Sequence, residues 1–228
     1  MTASILQDKM VVNTASASSV SLAFTSAVTA GSAIHAFGTH DDGFAPSSRV
    51  FSTNFSDSFT ATMDLVDDTV GGDFTFHAVA SNCAGGATTV TLTYGSTTPT
   101  FNGLWIREVG GVSANPLDGH TGVFLTTSTT PTTSITNTNS PCLISAFINC
   151  QAAPSSPTVD ASAIAGLIPA GWSLTGVASA IAESYYVTGS GSPVSALFHL
   201  STTNRSVVMM AGFDEATAAG TVVAWFTA

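Results

Sequence analysis

Basic residues are almost missing from this chain. Four lysines and arginines face fourteen aspartates and glutamates, giving a formal net charge of -10, and Lys9 is the only lysine. Charge of either sign is scarce: Asp, Glu, Lys and Arg make up 8% of the residues, against about a quarter in an ordinary soluble domain. Nucleic-acid binding depends on clustered cations that displace counterions from phosphates. An anionic membrane surface recruits the same residues. Neither partner is expected here. Ser, Thr, Asn and Gly take the polar positions instead. Such a surface packs against other protein with few charges to desolvate, and it equally suits an exposed, protease-resistant extracellular domain.

Cysteine is also sparse. Cys83, Cys142 and Cys150 are the only three, and an odd number makes a poor disulfide framework. Cys142 and Cys150 lie in one apolar segment. Fully extended, that segment would hold them roughly 26 Å apart at about 3.3 Å per residue, too far to bond. Buried free thiols and a reducing compartment are the expectation. The N-terminus lacks the apolar run after a basic start that marks a signal peptide. No stretch approaches 18 uninterrupted apolar residues, so no membrane-spanning helix is expected. Synthesis and folding in the cytosol, or export without a cleavable signal, follow, and the sequons at Asn54 and Asn204 then mean little.

What is present is a β rhythm. Hydrophobic residues form 44% of the 228, enough for a sizeable core. Short runs alternate with Gly, Pro, Asn and Asp punctuation. Val20, Leu22 and Phe24 fall on every second residue, as do Phe74, Phe76, Ala78 and Ala80, and Val90, Leu92 and Tyr94. Further runs occupy 33–37, 60–66, 104–109, 123–125, 172–182, 185–187, 194–200, 207–213 and 222–226. Residues 143–148 are nearly all apolar and read as a central strand. The threonine-rich 126–138, with Pro131 inside it, reads as a loop or a blunted edge strand. Helical periodicity is confined to 161–168, which suits one turn.

About a dozen short, evenly spaced strands predict an all-β fold, a sandwich or a barrel. No internal repeat and no linker stands out. The expected organisation is therefore a single sandwich domain over 16–228, preceded by residues 1–15 as an arm docking on a neighbour or a frayed terminus.

Chemistry-bearing residues are few. His35, His77 and His199 sit inside apolar strands at spacings that match no short metal signature, and read as satisfied core or edge residues. His40, Asp41, Asp42 and His120 would form a metal site only if two loops met in space. Asp64, Asp67, Asp68 and Asp73 form the one acidic cluster, but no alternating carboxylate loop appears. It reads as a solvated turn, with calcium the cation of choice were one bound. No G-x-S-x-G elbow occurs. Ser190 lies in a turn-like Gly/Ser stretch, and Cys83 has no cationic neighbour to lower its pKa. Glu108, Glu183 and Glu215 stand in no diagnostic context for glycoside cleavage. No phosphate-binding glycine loop precedes a helix. Catalytic, cofactor and metal sites are accordingly all expected to be none. Trp105, Trp172, Trp225, Tyr185 and Tyr186 could stack on sugars. Trp105 and Trp225 lie in apolar strands and read as core, while the adjacent tyrosines must point to opposite faces.

The order of segments resembles a family. The Val-Ser-Leu-Ala-Phe run at 20–24 leads into Val28, Thr29, Ala30 and Gly31. The Thr-Val-Thr-Leu-Thr strand spans 89–93. Leu-Trp-Ile-Arg-Glu-Val at 104–109 is followed by Gly110, Gly111 and an Asn115–Asp118 turn carrying Pro116. A buried strand starts at Cys142, Gly171-Trp172 follows, and Glu183 to Tyr185 and 205–213 fit closing hairpins. Over roughly 16–213 this is similar to the jelly-roll-type domains of phage virion proteins and prophage-encoded structural or adhesion proteins. The segment 216–228 and the loop at His40, Asp41 and Asp42 depart from that pattern. The resemblance implies an antiparallel β-sandwich of jelly-roll type with a structural or recognition role, transfers no catalytic residue, and places the protein in a virion assembled in the host cytoplasm.

The expected function is a phage virion structural protein, specifically a capsid decoration or cement protein. Its partners would be the major capsid protein or other virion proteins, with a homo-oligomer, a trimer by preference. Two alternatives stand beside it: a tail fibre or tip protein that binds host glycan, and a bacterial surface carbohydrate-binding module.

Overall fold

The computed structural model describes residues 2–13, 15–41, 48–60, 63–68, 73–95, 98–99, 101–139, 141–150, 158–159, 172–173, 179–187, 193–200 and 204–217. Among them the structure is all-β and antiparallel, as the composition and alternation predict. The strands are β1 (Ser4–Asn13), β2 (Ser19–Ala23), β3 (Ala33–Asp41), β4 (Arg49–Thr53), β5 (Asp64–Asp68), β6 (Asp73–Ala80), β7 (Thr89–Tyr94) and β8 (Phe101–Gly110). They continue with β9 (Val112–Ser128), β10 (Thr132–Thr136), β11 (Cys142–Cys150), β12 (Thr158–Val159), β13 (Trp172–Ser173), β14 (Ser179–Val187), β15 (Pro193–His199) and β16 (Asn204–Glu215).

These sixteen strands make four sheets in two matching sets. The first half forms a five-stranded sheet, β1-β8-β3-β6-β5, and a three-stranded sheet, β2-β7-β4. The second half forms β9-β16-β11-β14-β13 and β10-β15-β12. Each second-half strand takes the place of the strand eight positions earlier. Within each half the first strand pairs with the last, the second with the second-last and the third with the third-last. That nesting is a hairpin rolled up on itself, the jelly-roll plan. The chain therefore carries two jelly rolls in tandem, where the sequence suggested one sandwich without a repeat. Residues 4–13, expected as an arm or frayed end, form β1 in register with β8.

The linker between the rolls is one residue long, so composition could not reveal it. β8 ends at Gly110 and β9 begins at Val112. Gly111 lies between them with a φ of +70°, and a Cβ there would sit 2.5 Å from the Thr2 carbonyl oxygen. Only glycine suits both conditions.

Each roll has its own core. Val20, Ile34, Ala36, Phe76, Val90, Leu92, Leu104 and Ile106 pack between the two sheets of the first. Ile135, Ile144, Ala146, Ile148, Phe198, Val208 and Met210 do so in the second. The alternate residues of the same strands face the other roll. Phe37, Trp105, Phe147, Val207 and Met209 form one apolar cluster spanning both five-stranded sheets. Ala33, Val79, Val109, Leu143, Ala211 and Phe213 belong to a second. Phe147 stacks on Phe37 at 4.7 Å and tilts against Trp105 at 4.8 Å. The layers thus run three strands, five, five and three. All nine residues of β11 are buried, because its two faces serve two different cores, and a strand covered on both faces reads as a continuous apolar run.

The threonine-rich segment supplies an edge strand, β10, one of the two forms expected of it, with Ile135 buried and Thr132, Ser134 and Thr136 exposed. Asn115–Asp118 is no turn. It lies inside β9, where the register against β16 shifts between Leu117 and Val112, and this bulged edge strand tolerates Pro116. The suggested helical turn at 161–168 and the run at 222–226 lie outside the described residues.

All three cysteines are free and buried. Burial pushes their thiols up, to about 12 for Cys83 and Cys150 and about 11 for Cys142. Two substitutions test this architecture by urea denaturation. Gly111→Ala is expected to destabilise by at least about 1–2 kcal/mol, the cost of a left-handed backbone for an L-residue. Phe147→Ala should cost about 3–5 kcal/mol, as for a large aromatic truncated in a packed core.

Candidate metal centre and the polar seam behind it

The layer between the two five-stranded sheets is not wholly apolar. His35 on β3, His77 on β6 and Arg107 on β8 are fully buried there, and Ser145 on β11 faces them from the second roll. Their positions follow from strand alternation. Ile34 and Ala36 point into the first roll's core, so His35 points to the other roll. The same alternation turns His77 away from Phe76 and Ala78, and Arg107 away from Ile106.

These side chains form one hydrogen-bonded file. Arg107 Nη1 lies 3.0 Å from Ser145 Oγ. Ser145 Oγ lies 3.1 Å from His35 Nδ1, and His35 Nε2 lies 2.9 Å from His77 Nδ1. His77 Nε2 reaches Asp64 Oδ2 at 2.7 Å, and His120 Nδ1 reaches the same oxygen at 2.8 Å. At the far end Arg107 Nη2 lies 3.5 Å from Asp8 Oδ2, and its guanidinium sits 5.0 Å over the Trp105 ring.

With both buried rings neutral, as burial favours, the two ends assign every proton between them. A guanidinium only donates and a carboxylate only accepts. His77 must therefore present Nε2–H to Asp64, which leaves its Nδ1 to accept from His35 Nε2–H. His35 Nδ1 then accepts from the Ser145 hydroxyl, whose oxygen accepts from Arg107. Donors run in one direction from Arg107 to Asp64. Burial holds His35 well below the ordinary histidine value, helped by the nearby His77 and Arg107. Burial also lowers His77, against the opposing pull of Asp64. Burial alone would raise the Asp64 carboxyl, but the hydrogen bonds from His77 and His120 outweigh it and hold it low. The His77–Asp64 contact is thus a hydrogen bond from a neutral ring to a carboxylate.

A second polar group crosses the same layer. Asn149 Nδ2 on β11 donates to Thr39 Oγ1 at 3.1 Å and Thr75 Oγ1 at 3.2 Å.

Asp64, His77 and His120 are a set that could hold a metal ion. One ligand atom from each lies within 4.8 Å of the others. Asp64 and His77 come from the β5–β6 hairpin of the first roll and His120 from β9 of the second. His77 is buried, Asp64 half-buried, and His120 is 37% exposed. The sequence names all three residues but groups them differently. His40 is not beside His120. Its ring lies in the first roll's core, 5.0 Å from Phe74 and 5.2 Å from Tyr94, on the opposite face of the sheet from His77. His40 and His120 therefore do not meet, and the condition for a metal site between them is not fulfilled. Asp42 lies outside the described residues, as do the side chains of Asp41, Asp67, Asp68 and Asp73.

Other candidates resolve simply. Glu108 is buried and ties down the β2–β3 connection, accepting from Gln7 Nε2 and Thr29 N at 2.6 Å each. His199 is half-buried on β15, apart from the other histidines. Trp105 is 2% exposed inside the inter-roll layer, as its apolar strand predicts, and offers no platform for a sugar. Ser190, Trp225 and the side chains of Trp172, Glu183, Tyr185 and Tyr186 lie outside the described residues.

No protein-family model matches the chain, and no curated protein matches its sequence. Among solved structures the chain is similar to the major capsid protein P2 from Bacteriophage PM2. The TM-score is 0.28 at 10% identity, over 94% of this chain and 100% of that one. At that level of similarity, fold and function rest on the strand order and the residues above.

The neutral histidines give stability a pH dependence of defined sign. Both native pKa values lie below the 6.5 of an unperturbed histidine, so the unfolded chain binds protons that the native one does not. Stability is complete above about pH 6.5 and declines as pH falls, by up to about 1.4 kcal/mol per pH unit for each group. Urea midpoints measured from pH 8 to pH 5 in the presence of a chelator should show this decline, and His35→Gln should reduce its slope.

Proposed function

We propose that the chain is a structural protein of a phage virion, built into the outer shell through repeated contacts between subunits. The observation that carries this reading is the tandem of two eight-stranded jelly rolls welded through their five-stranded sheets. Jelly rolls recur in viral capsid and lectin domains, and function on such a fold has to be argued from its surfaces. Among the described residues, the outer three-stranded sheets each present a face that no other sheet covers.

Those outer faces favour protein contact. On one, Ser19, Ser21, Ser52 and Thr93 are exposed, with Thr91 half-buried beside them. Ser21 and Thr91 hydrogen-bond across the strands at 2.8 Å. On the other, Thr132, Ser134, Thr136 and Ser195 are exposed. Hydroxyls cost less to desolvate than charges and can repair their hydrogen bonds with any polar neighbour. Many weak contacts repeated over a lattice then give durable attachment.

Two placements fit this reading: a decoration protein seated on the shell, and a subunit of the shell lattice itself. The second is favoured by the stiffness of a double roll in which both halves share one buried layer. Neither placement asks the chain for catalysis. The glycan-binding alternatives lose Trp105, which is core.

Electron microscopy of the source particle, with mass spectrometry of its purified proteins, tests the proposal. The expected result is density for a double roll repeated over the shell, at a copy number set by the shell's symmetry. A particle whose shell lacks the chain would overturn it.

A further inference from the structure

We propose that Asp64, His77 and His120 form a binding site for a divalent transition-metal ion, zinc in the first place, that clips the two jelly rolls together at the edge of their shared layer. The inference does not depend on the virion assignment, since it rests on the side chains alone.

The donor set selects the class of ion. Two imidazoles and one carboxylate, with no thiolate, suit zinc and its neighbours in the first transition row. Calcium and magnesium would require a shell of oxygens. Three protein ligands with a fourth position open is the pattern of an accessible zinc site. The exposure of His120 leaves that position facing solvent, available to water or to a group from a neighbouring molecule.

The geometry needs little adjustment. Tetrahedral zinc with bonds of about 2.0–2.1 Å sets its ligand atoms roughly 3.3–3.4 Å apart. Asp64 Oδ2 now lies 2.7 Å from His77 Nε2 and 2.8 Å from His120 Nδ1. The carboxylate must withdraw by about half an ångström, and His120 must swing toward His77. Both movable groups sit at the rim, and the fixed one, His77, is fully buried.

The layer behind the site supports His77 as a ligand. A metal-bound imidazole is oriented by a hydrogen bond from its other ring nitrogen, and His77 Nδ1 already has His35 Nε2 at 2.9 Å. Coordination at Nε2 reverses the file behind it. The His77 proton moves from Nε2 to Nδ1 and is donated to His35 Nε2. The His35 proton moves to Nδ1 and is donated to Ser145 Oγ. Ser145 then accepts from both His35 and Arg107, and its own hydroxyl proton turns away. Neither buried ring gains or loses a net proton. The fixed end of the file is Arg107, which keeps donating to Ser145 in both states.

The consequence is mechanical. Two ligands belong to the first roll and one to the second, so a bound ion cross-links β5 and β6 to β9, beside the packing of Val66 and Phe124. Its binding energy adds to the stability of the closed pair.

The full chain, stripped with a chelator and then dialysed free of it, can be titrated with Co(II) as a spectroscopic stand-in and with Zn(II). One equivalent per chain is expected, with visible d–d absorption of tetrahedral cobalt. Zinc in hundredfold excess over Kd should raise the melting temperature by roughly 5–10 °C. Histidine ¹⁵N shifts should show His77 and His35 exchanging tautomers on zinc binding, a change that a purely structural cluster would not give. His120→Ala, a change at an exposed side chain, should abolish the cobalt spectrum and the melting shift. Asp64→Asn should weaken binding at least tenfold. If Asp64→Asn fails to fold, His120→Ala decides alone. No uptake by the wild-type chain, or uptake that His120→Ala leaves unchanged, overturns the proposal.

Discussion

The structure depends on two five-stranded sheets burying each other. Each of them already covers the core of its own roll with one face. Packing the second faces together leaves β3, β6, β8, β11 and β16 without a solvent side, and every side chain on those strands must find a partner inside the protein. The apolar ones do so around Phe37, Trp105 and Phe147. For the polar ones pairing matters more, because a buried donor or acceptor without a partner costs about 1–3 kcal/mol. Most of them form the file from Arg107 to Asp64 and the Asn149 contacts with Thr39 and Thr75, while Trp105 Nε1 and Asn149 Oδ1 are buried without a hydrogen-bond partner.

Such a seam is an expensive way to join two domains, since well-packed apolar side chains of similar size are often as stable or more so. What polar groups add is selectivity of register. A one-residue slip of a strand exchanges its two faces. In β11 it would move Ser145 and Asn149 into the second roll's core and leave His35, Arg107, Thr39 and Thr75 opposite aliphatic side chains. The file also has a fixed direction, because only donors stand at one end and only an acceptor at the other. Sliding one roll over the other would break it at Ser145, the single member that crosses from the opposite sheet between two buried histidine and arginine contacts.

Much of this was legible in the sequence, strand by strand. Alternation located β2, β6 and β7 within a residue or two, and the unbroken apolar run of β11 marked a strand covered on both faces. The doubling was hidden. The two halves repeat in topology, not in residues, and a one-glycine linker leaves no compositional trace. The seam was hidden for a related reason. From the sequence His35 and His77 read as satisfied core or edge residues of apolar strands, and nothing there sets Arg107 beside them. Their shared property is that each occupies the face opposite the one that the apolar alternation had already filled. Polar residues on that second face, flanked by Phe37, Trp105 and Phe147, signal another buried layer and not solvent. The Asp64, His77 and His120 grouping needed the fold itself, since its members lie on three strands of two rolls and no local spacing joins them.

The division of labour between layers bears on the function. Inside, several of the chain's few ionisable groups hold the rolls in one relative position: Arg107, Asp8, Asp64, His35, His77 and His120 meet at the shared layer. Outside, the described faces of the three-stranded sheets are dominated by serine and threonine. A molecule that recognised a small ligand would keep its directional, ionisable groups at an accessible pocket. Here one file of them is turned inward, toward rigidity, and the outer three-stranded sheets present mostly hydroxyls. Uniform hydroxyl faces on a stiff double roll discriminate poorly between small molecules but pack well against many copies of the same neighbour. That is the property a repeating assembly selects, and it is why the inward-facing seam and the bland exterior belong to one explanation.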